Sequence, residues 1–171
     1  MPTIEELIER FRLAPLSGEG GLFRRTYCSR DMLPQSIFAG RYPEDKPAGS
    51  AILYLITQES FSRLHRLLTD EIYHFYLGDP VQLLLVPPGQ APRVVTLGQD
   101  ILNGMEVQLT VPAGWYQGSH LRAGGRWALL GTTMAPAYTD SDYTEDGAAA
   151  LAEQYPAWAE EIRYLTQKQG K

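Results

Sequence analysis

His65 and Glu71 stand six positions apart in the stretch FSRLHRLLTDEIYHFYLGDP, which closes on Gly78. His65 ends one run of strand-type residues and Glu71 opens the next, with Leu68, Thr69 and Asp70 between them. A hairpin here lets alternation turn both side chains to the same interior. A buried imidazole beside a carboxylate has two chemical uses. The carboxylate fixes the tautomer and raises the basicity of the imidazole for proton transfer, or both groups ligate a divalent metal. The plain alternative is a satisfied buried pair that only orders the hairpin.

The elements that must position this pair are short. Residues 3–13 carry Ile4, Leu7, Ile8 and Phe11 at the spacing of one helical face, and Thr3 and Glu6 form a capping box. From Leu22 to about Met134, runs of Tyr, Val, Leu, Phe and Thr alternate with Gly, Pro, Asn and Asp turns, the rhythm of an all-β sandwich or barrel. Strands are expected at 22–28, 51–57, 61–66, 71–77, 81–86, 93–97, 107–111, 116–121 and 126–133. Helices are expected within about 144–167, the second opened by Pro156, and the whole of 1–171 reads as one domain. Residues 29–50 have three prolines, two glycines and no period. A loop this long serves as a lid, a dimer contact or a tolerated insertion.

Composition narrows the function classes. Of 171 residues 44% are apolar or aromatic, enough to bury a core. Fifteen Lys and Arg against 20 Asp and Glu give a net charge of −5, which disfavours nucleic acid as a partner. A single cysteine, Cys28, excludes an intramolecular disulfide and a cysteine-cluster zinc site and suits a reducing cytoplasm. The acidic first residues MPTIEELIERF and strand-sized apolar runs argue against a secretory signal and a membrane anchor.

The pattern resembles the cupin superfamily, whose first motif is His-x-His, then Glu after three or four residues, then Gly after six more. His65, Glu71 and Gly78 match it, and Leu67 stands at the second His. The second motif is represented by Pro112, Gly114 and Gln117, with Gln117 in place of a His ligand. More narrowly, the chain is similar to a small cupin family of unknown function. The matches are Glu19, Gly20, Gly21, Phe23, Thr26 and Tyr27; then Phe61, His65, Arg66, Asp70, Glu71, Tyr73 and His74; then Val111 to Gly114; and the later segment GTTMAPAYTDSDY. The resemblance implies a cupin double-stranded β-helix, or jelly roll, with a short N-terminal helix and C-terminal helices. It also implies a homodimer and a cavity at one mouth of the barrel.

Inside such a barrel, alternation predicts Phe23, Arg25 and Tyr27 on one face, Phe61, Arg63 and His65 on another, and Glu71, Tyr73 and Phe75 on a third. The expected catalytic residues are His65 as proton acceptor, Glu71 orienting it, and Tyr27 or Tyr73 as donor. Arg25, Arg63, Gln117 and Trp115 are expected to bind a small polar ligand, a sugar or carboxylate. The expected chemistry is metal-independent isomerisation or epimerisation. The alternatives are a non-catalytic binding protein and a metal-dependent oxygenase or lyase using His65, Glu71 and Gln117. Two good ligands are fewer than a catalytic metal usually takes. His74 and His120 have the wrong parity to complete the set.

Overall fold

The computed structural model describes residues 2–167. Met1 and residues 168–171 of the expected domain lie outside the described residues. Helix α1, Ile4–Phe11, starts on the Thr3–Glu6 capping box and ends at Arg12 in the left-handed conformation. Twelve strands follow in chain order: β1 Ala14–Pro15, β2 Leu22–Cys28, β3 Met32–Leu33, β4 Lys46–Pro47, β5 Ser50–Thr57, β6 Ser62–Arg66, β7 Glu71–Gly78, β8 Val81–Val86, β9 Arg93–Leu97, β10 Gln108–Val111, β11 Tyr116–Leu121 and β12 Trp127–Met134. The chain closes with α2, Leu151–Gln154, a 3₁₀ turn opened by Pro156, and α3, Ala159–Thr166.

Ten of the strands form two facing sheets, six-stranded in the order β1-β2-β5-β12-β7-β10 and four-stranded in the order β6-β11-β8-β9, and β3 pairs with β4 apart from them. All their pairings are antiparallel. The run VQLLLV of β8 shows why both faces of the smaller sheet are covered. Val81, Leu83 and Leu85 point into the core between the sheets, while Leu84 and Val86 pack beneath α2 and α3 against Leu151, Ile162 and Leu165. On the far side, Leu7 of α1 and Leu13 just beyond its cap pack against Leu55, Trp127 and Leu129. Each such burial contributes about 1.5–3 kcal/mol. Among the described residues no helix is long and apolar enough to cross a membrane.

The expected strands fall within a residue or so of those observed. The C-terminal stretch differs more: before Pro156, only Leu151–Gln154 is regular α-helix, the residues ahead of it being turns. The loop at 29–50 is partly ordered by β3 pairing with β4. Its Lys46 is completely buried and ion-paired to the equally buried Asp142, and its Nζ also donates to Thr139 Oγ1 at 2.8 Å. Thr69 donates to Tyr42 Oη at 2.9 Å and contacts Asp142 at 3.3 Å. The loop is thus fastened to the 139–142 segment.

Two bulges decide what faces inward. In β2, Arg25 pairs with Ile52 and Tyr27 with Ala51, so Thr26 is an extra residue and the parity of Tyr27 is reversed. In β6, His65 pairs with Gln117 and Ser62 with Ser119, leaving Arg63 and Leu64 opposite Gly118 alone. A Cβ on Gly118 would stand 3.1 Å from Leu64 Cα and from the Ser62 carbonyl, so glycine permits this crowding.

Candidate functional site

Hydrophobic residues fill one end of the space between the sheets and leave the other hollow. Met134, the last residue of β12, pairs with Glu71 at the start of β7 and with Ser50 at the start of β5. Deeper along these strands lie Tyr73, Phe75, Ile56 and Leu130 in the core. Toward the strand ends is a cavity of about 320 Å³. Its apolar wall includes Leu16, Phe23, Ile52, Leu67 and Met134; its polar groups include Glu19, Glu71, Thr132, Tyr138 and Tyr143, with Arg25 and Asp140 exposed at the rim.

Glu71 is 8% exposed, and its carboxylate accepts from Gln117 Nε2 at 2.7 Å and from Thr132. Burial, then the charge of Glu19, raise its pKa above the usual carboxylate range. The Tyr73 phenol hydrogen-bonds the same carboxylate from the core, and burial holds it protonated. Across the cavity, Glu19 accepts from Ser62 Oγ at 2.7 Å. It is only partly buried by surface area, but close packing pushes its pKa up to about 7.

Glu19 is positioned by the Glu-Gly-Gly turn. Gly21 has φ +70°, and a Cβ there would lie 2.7 Å from the Tyr54 hydroxyl, which donates to the Gly20 carbonyl at 2.8 Å. The turn can rest on Tyr54 only with glycine at 21. The Glu19 carbonyl also accepts from the Arg63 amide at 2.9 Å, tying the turn to β6.

His65 is 1% exposed and is absent from the cavity wall. Its Nδ1–H donates to the Arg63 carbonyl at 2.7 Å, which leaves Nε2 as the acceptor, 3.4 Å from the Gln117 amide nitrogen. The ring of Tyr143 stacks on it at 4.8 Å. Burial lowers its pKa, so the imidazole is neutral. The tautomer is therefore fixed by a backbone carbonyl, and Gln117 stands between His65 and Glu71, where the sequence had placed them in direct contact.

Three expected site residues, the proton donor Tyr27 and the ligand-binding Arg63 and Trp115, lie away from the cavity wall. Tyr27 is 56% exposed, turned outward by the bulge at Thr26. Arg63 is swung aside by the β6 bulge and pairs with Glu145 at 2.7 Å, also reaching the carbonyls of Gly18 and Thr166. Trp115 packs on the core, with the Arg93 guanidinium 5.7 Å over its ring, and does not line the cavity. Arg25 does line it, at the rim. His74 leaves the opposite face of β7 to donate to Thr133 Oγ1 at 3.0 Å, and His120 joins Glu161 at 2.7 Å, as their parity requires.

A divalent metal does not fit the expected set. Leu67 supplies no ligand atom, Gln117 presents its amide nitrogen to both His65 and Glu71, and two ligands remain. Among the described residues no three His, Cys, Asp or Glu side chains converge as a metal group.

The sequence reading missed Glu19, Tyr138 and Tyr143 as cavity residues, although all three lie in segments that carry the family resemblance. The signal available was the paired glycine after Glu19, since a turn forced by two glycines fixes its neighbour's direction.

Two facing antiparallel sheets around a hollow, with Glu71 at the mouth, define a cupin. The chain belongs to the Cupin superfamily (DUF985) family, whose sequence profile matches residues 5–145. It is similar to a hypothetical protein from Leishmania major, with 28% identity, a TM-score of 0.84, and 98% of this chain and 100% of that one covered. It is also similar to a protein from Shewanella oneidensis, with 26% identity, a TM-score of 0.84 and coverage of 98% and 99%. Oxalate decarboxylase from Bacillus subtilis shares the fold at 11% identity, with a TM-score of 0.54 over 92% of this chain and 38% of that one. No curated protein sequence matches the chain significantly.

Proposed function

We propose that the cavity binds a small polar organic molecule and that Glu19 and Glu71 exchange a proton with it, as in a metal-independent isomerase or epimerase. The observation that carries this reading is that two carboxylates from separate segments line one largely apolar cavity, where burial raises the proton affinity of both and the charge of Glu19 raises that of Glu71 further. With its pKa at about 7, Glu19 is poised to take up and give back a proton at neutral pH, the condition for efficient acid and base transfer. His65 supports the pair from behind through Gln117, and Tyr73 and Thr132 hold the Glu71 carboxylate.

The test is proton exchange in deuterated water with a panel of small amines, polyols and hydroxy acids, read by proton NMR. At least one compound should take up deuterium with the native protein and none with Glu71→Gln or Glu19→Gln. Saturable binding without deuterium uptake would reduce the protein to a binding cupin. That second reading draws support from the position of His65, the strongest base expected from the sequence, behind Tyr143.

A further inference from the structure

Part of the cavity wall hangs from a sheet edge. Pro15, Leu16, Ser17 and Glu19 all line the cavity, and all belong to β1 and the turn that follows it. β1 is the outermost strand of the six-stranded sheet, two exposed residues long, and is held to β2 by the pairs Ala14–Phe23 and Pro15–Leu22. Pro15 has no N–H to add to that ladder. An edge this short opens at far lower cost than the core strands. The turn itself is tied internally: the Leu16 N–H donates to the Gly21 carbonyl at 3.0 Å and the Gly20 N–H to the Leu16 carbonyl at 2.9 Å, so residues 14–21 move as a unit.

The start of β6 holds this flap down. Ser62 Oγ donates to the Glu19 carboxylate at 2.7 Å, the Arg63 amide donates to the Glu19 carbonyl at 2.9 Å, and the Arg63 guanidinium reaches the Gly18 carbonyl at 3.4 Å. The β6 bulge makes this possible. Arg63 and Leu64 stand opposite Gly118 alone, so the Arg63 amide is turned from the ladder with β11 toward the flap. From the outside, Glu145 grips the same guanidinium at 2.7 Å, and the Thr166 carbonyl accepts from it at 3.5 Å. The ion pair is partly exposed, so it is weak enough to break and re-form. Leu16, half-buried against the core, and the Tyr54 hydroxyl on the Gly20 carbonyl complete the closed seat.

Resting on the proposal that this cavity is the ligand site, we infer that residues 14–21 are its gate and that Arg63 is the latch. Opening breaks the β1 pairs and the bonds to Ser62 and Arg63, and it carries Glu19 away from Glu71. Closing returns the acid to the cavity over whatever has entered. Glu19 is thus a moving group and Glu71, on β7, a fixed one. Arg63 never touches the ligand; it is a positioning residue that acts on the site through the flap.

Thiol labelling and hydrogen exchange on the free protein test the gate without any ligand. In a Cys28→Ser background, Met134→Cys puts the one thiol on the cavity wall, at a position 3% exposed, and its reaction with methyl methanethiosulfonate reports opening. Arg63→Gln removes the latch. Gly18→Ala leaves the Arg63 contacts in place and strains the closed turn, because Gly18 has φ +88°. Each should speed labelling about threefold or more, with faster exchange of the Leu16 and Gly20 amides and unchanged exchange in β8. Circular dichroism confirms folding, and Gly18→Ala carries the comparison if Arg63→Gln fails to fold. Unchanged labelling in the folded variants overturns the inference, as does faster labelling matched by equally faster exchange in β8, which is global opening. Labelling that rises with Lys46→Met alone places the entrance at the long loop and overturns it too. None of these results bears on whether the cavity is the ligand site, which the deuterium-uptake test decides separately.

Discussion

The ring of Tyr143 stacks on the His65 imidazole with centroids 4.8 Å apart and planes 22° from parallel, and Tyr143, not His65, lines the cavity. The histidine at the cupin motif position is therefore shielded from the cavity by Tyr143, and under the proposed function the acids lining the cavity, not His65, meet the ligand.

Replacing His65 with Gln should leave ligand affinity and turnover within about tenfold of the native protein. Folding stability should fall by about 1–3 kcal/mol, because the bond to the Arg63 carbonyl and the tyrosine stack are lost. Urea denaturation and binding measured on the same sample check this. Turnover abolished in a fully folded variant would return His65 to the reacting centre.

The Glu19 carboxyl gives a pH signature of defined sign. Its pKa in the folded protein, about 7, lies above its unfolded value of 4.5, so the folded state binds more protons between those limits. Its contribution is full below pH 4.5 and is lost as pH rises through about 7. Glu19→Gln should therefore gain stability relative to the native protein across this window, by on the order of 3 kcal/mol at most. Denaturation curves at half-unit pH intervals read the difference directly. A constant difference between the two proteins would mean that Glu19 is not perturbed.

Lys46→Met should cost about 3–5 kcal/mol, because it leaves Asp142 charged and buried without its partner. The same change should loosen residues 139–143, which carry Tyr143 and the cavity rim. Hydrogen exchange should show faster opening there than at the core strand β8. Unchanged protection across 139–143 would separate the long loop from the site.

Tyr27→Phe should alter neither ligand binding nor stability beyond about 0.5 kcal/mol, since the hydroxyl belongs to a side chain 56% exposed and outside the cavity wall. Loss of binding would place Tyr27 against the ligand after all.

Much of the scaffold was legible in the sequence because strand alternation and turn chemistry are local. The runs at 81–86 and 116–121 are strands with the bounds expected for them. Glu71, Tyr73 and Phe75 all face inward as period-two counting predicts. The failures share one cause. Parity survives only while the ladder is regular, and the bulges at Thr26 and Arg63–Leu64 depend on the partner strand, including a glycine at 118 that is far away in sequence. Glu19 and Tyr143 escaped notice for a related reason. Both sit outside the long strands, and only the closed fold brings the loop before β2 and the segment after β12 to the same mouth.

The central claim is that two carboxylates share one cavity, where burial and the charge of Glu19 raise the proton affinity of Glu71. Carbon-13 NMR titration of the glutamate side-chain carboxyls, in the native protein and in Glu19→Gln, tests it most directly. The account predicts that Glu71 titrates above the usual carboxylate range and that its midpoint falls when the charge of Glu19 is removed. A Glu71 midpoint in the usual carboxylate range, unmoved by that substitution, would contradict it.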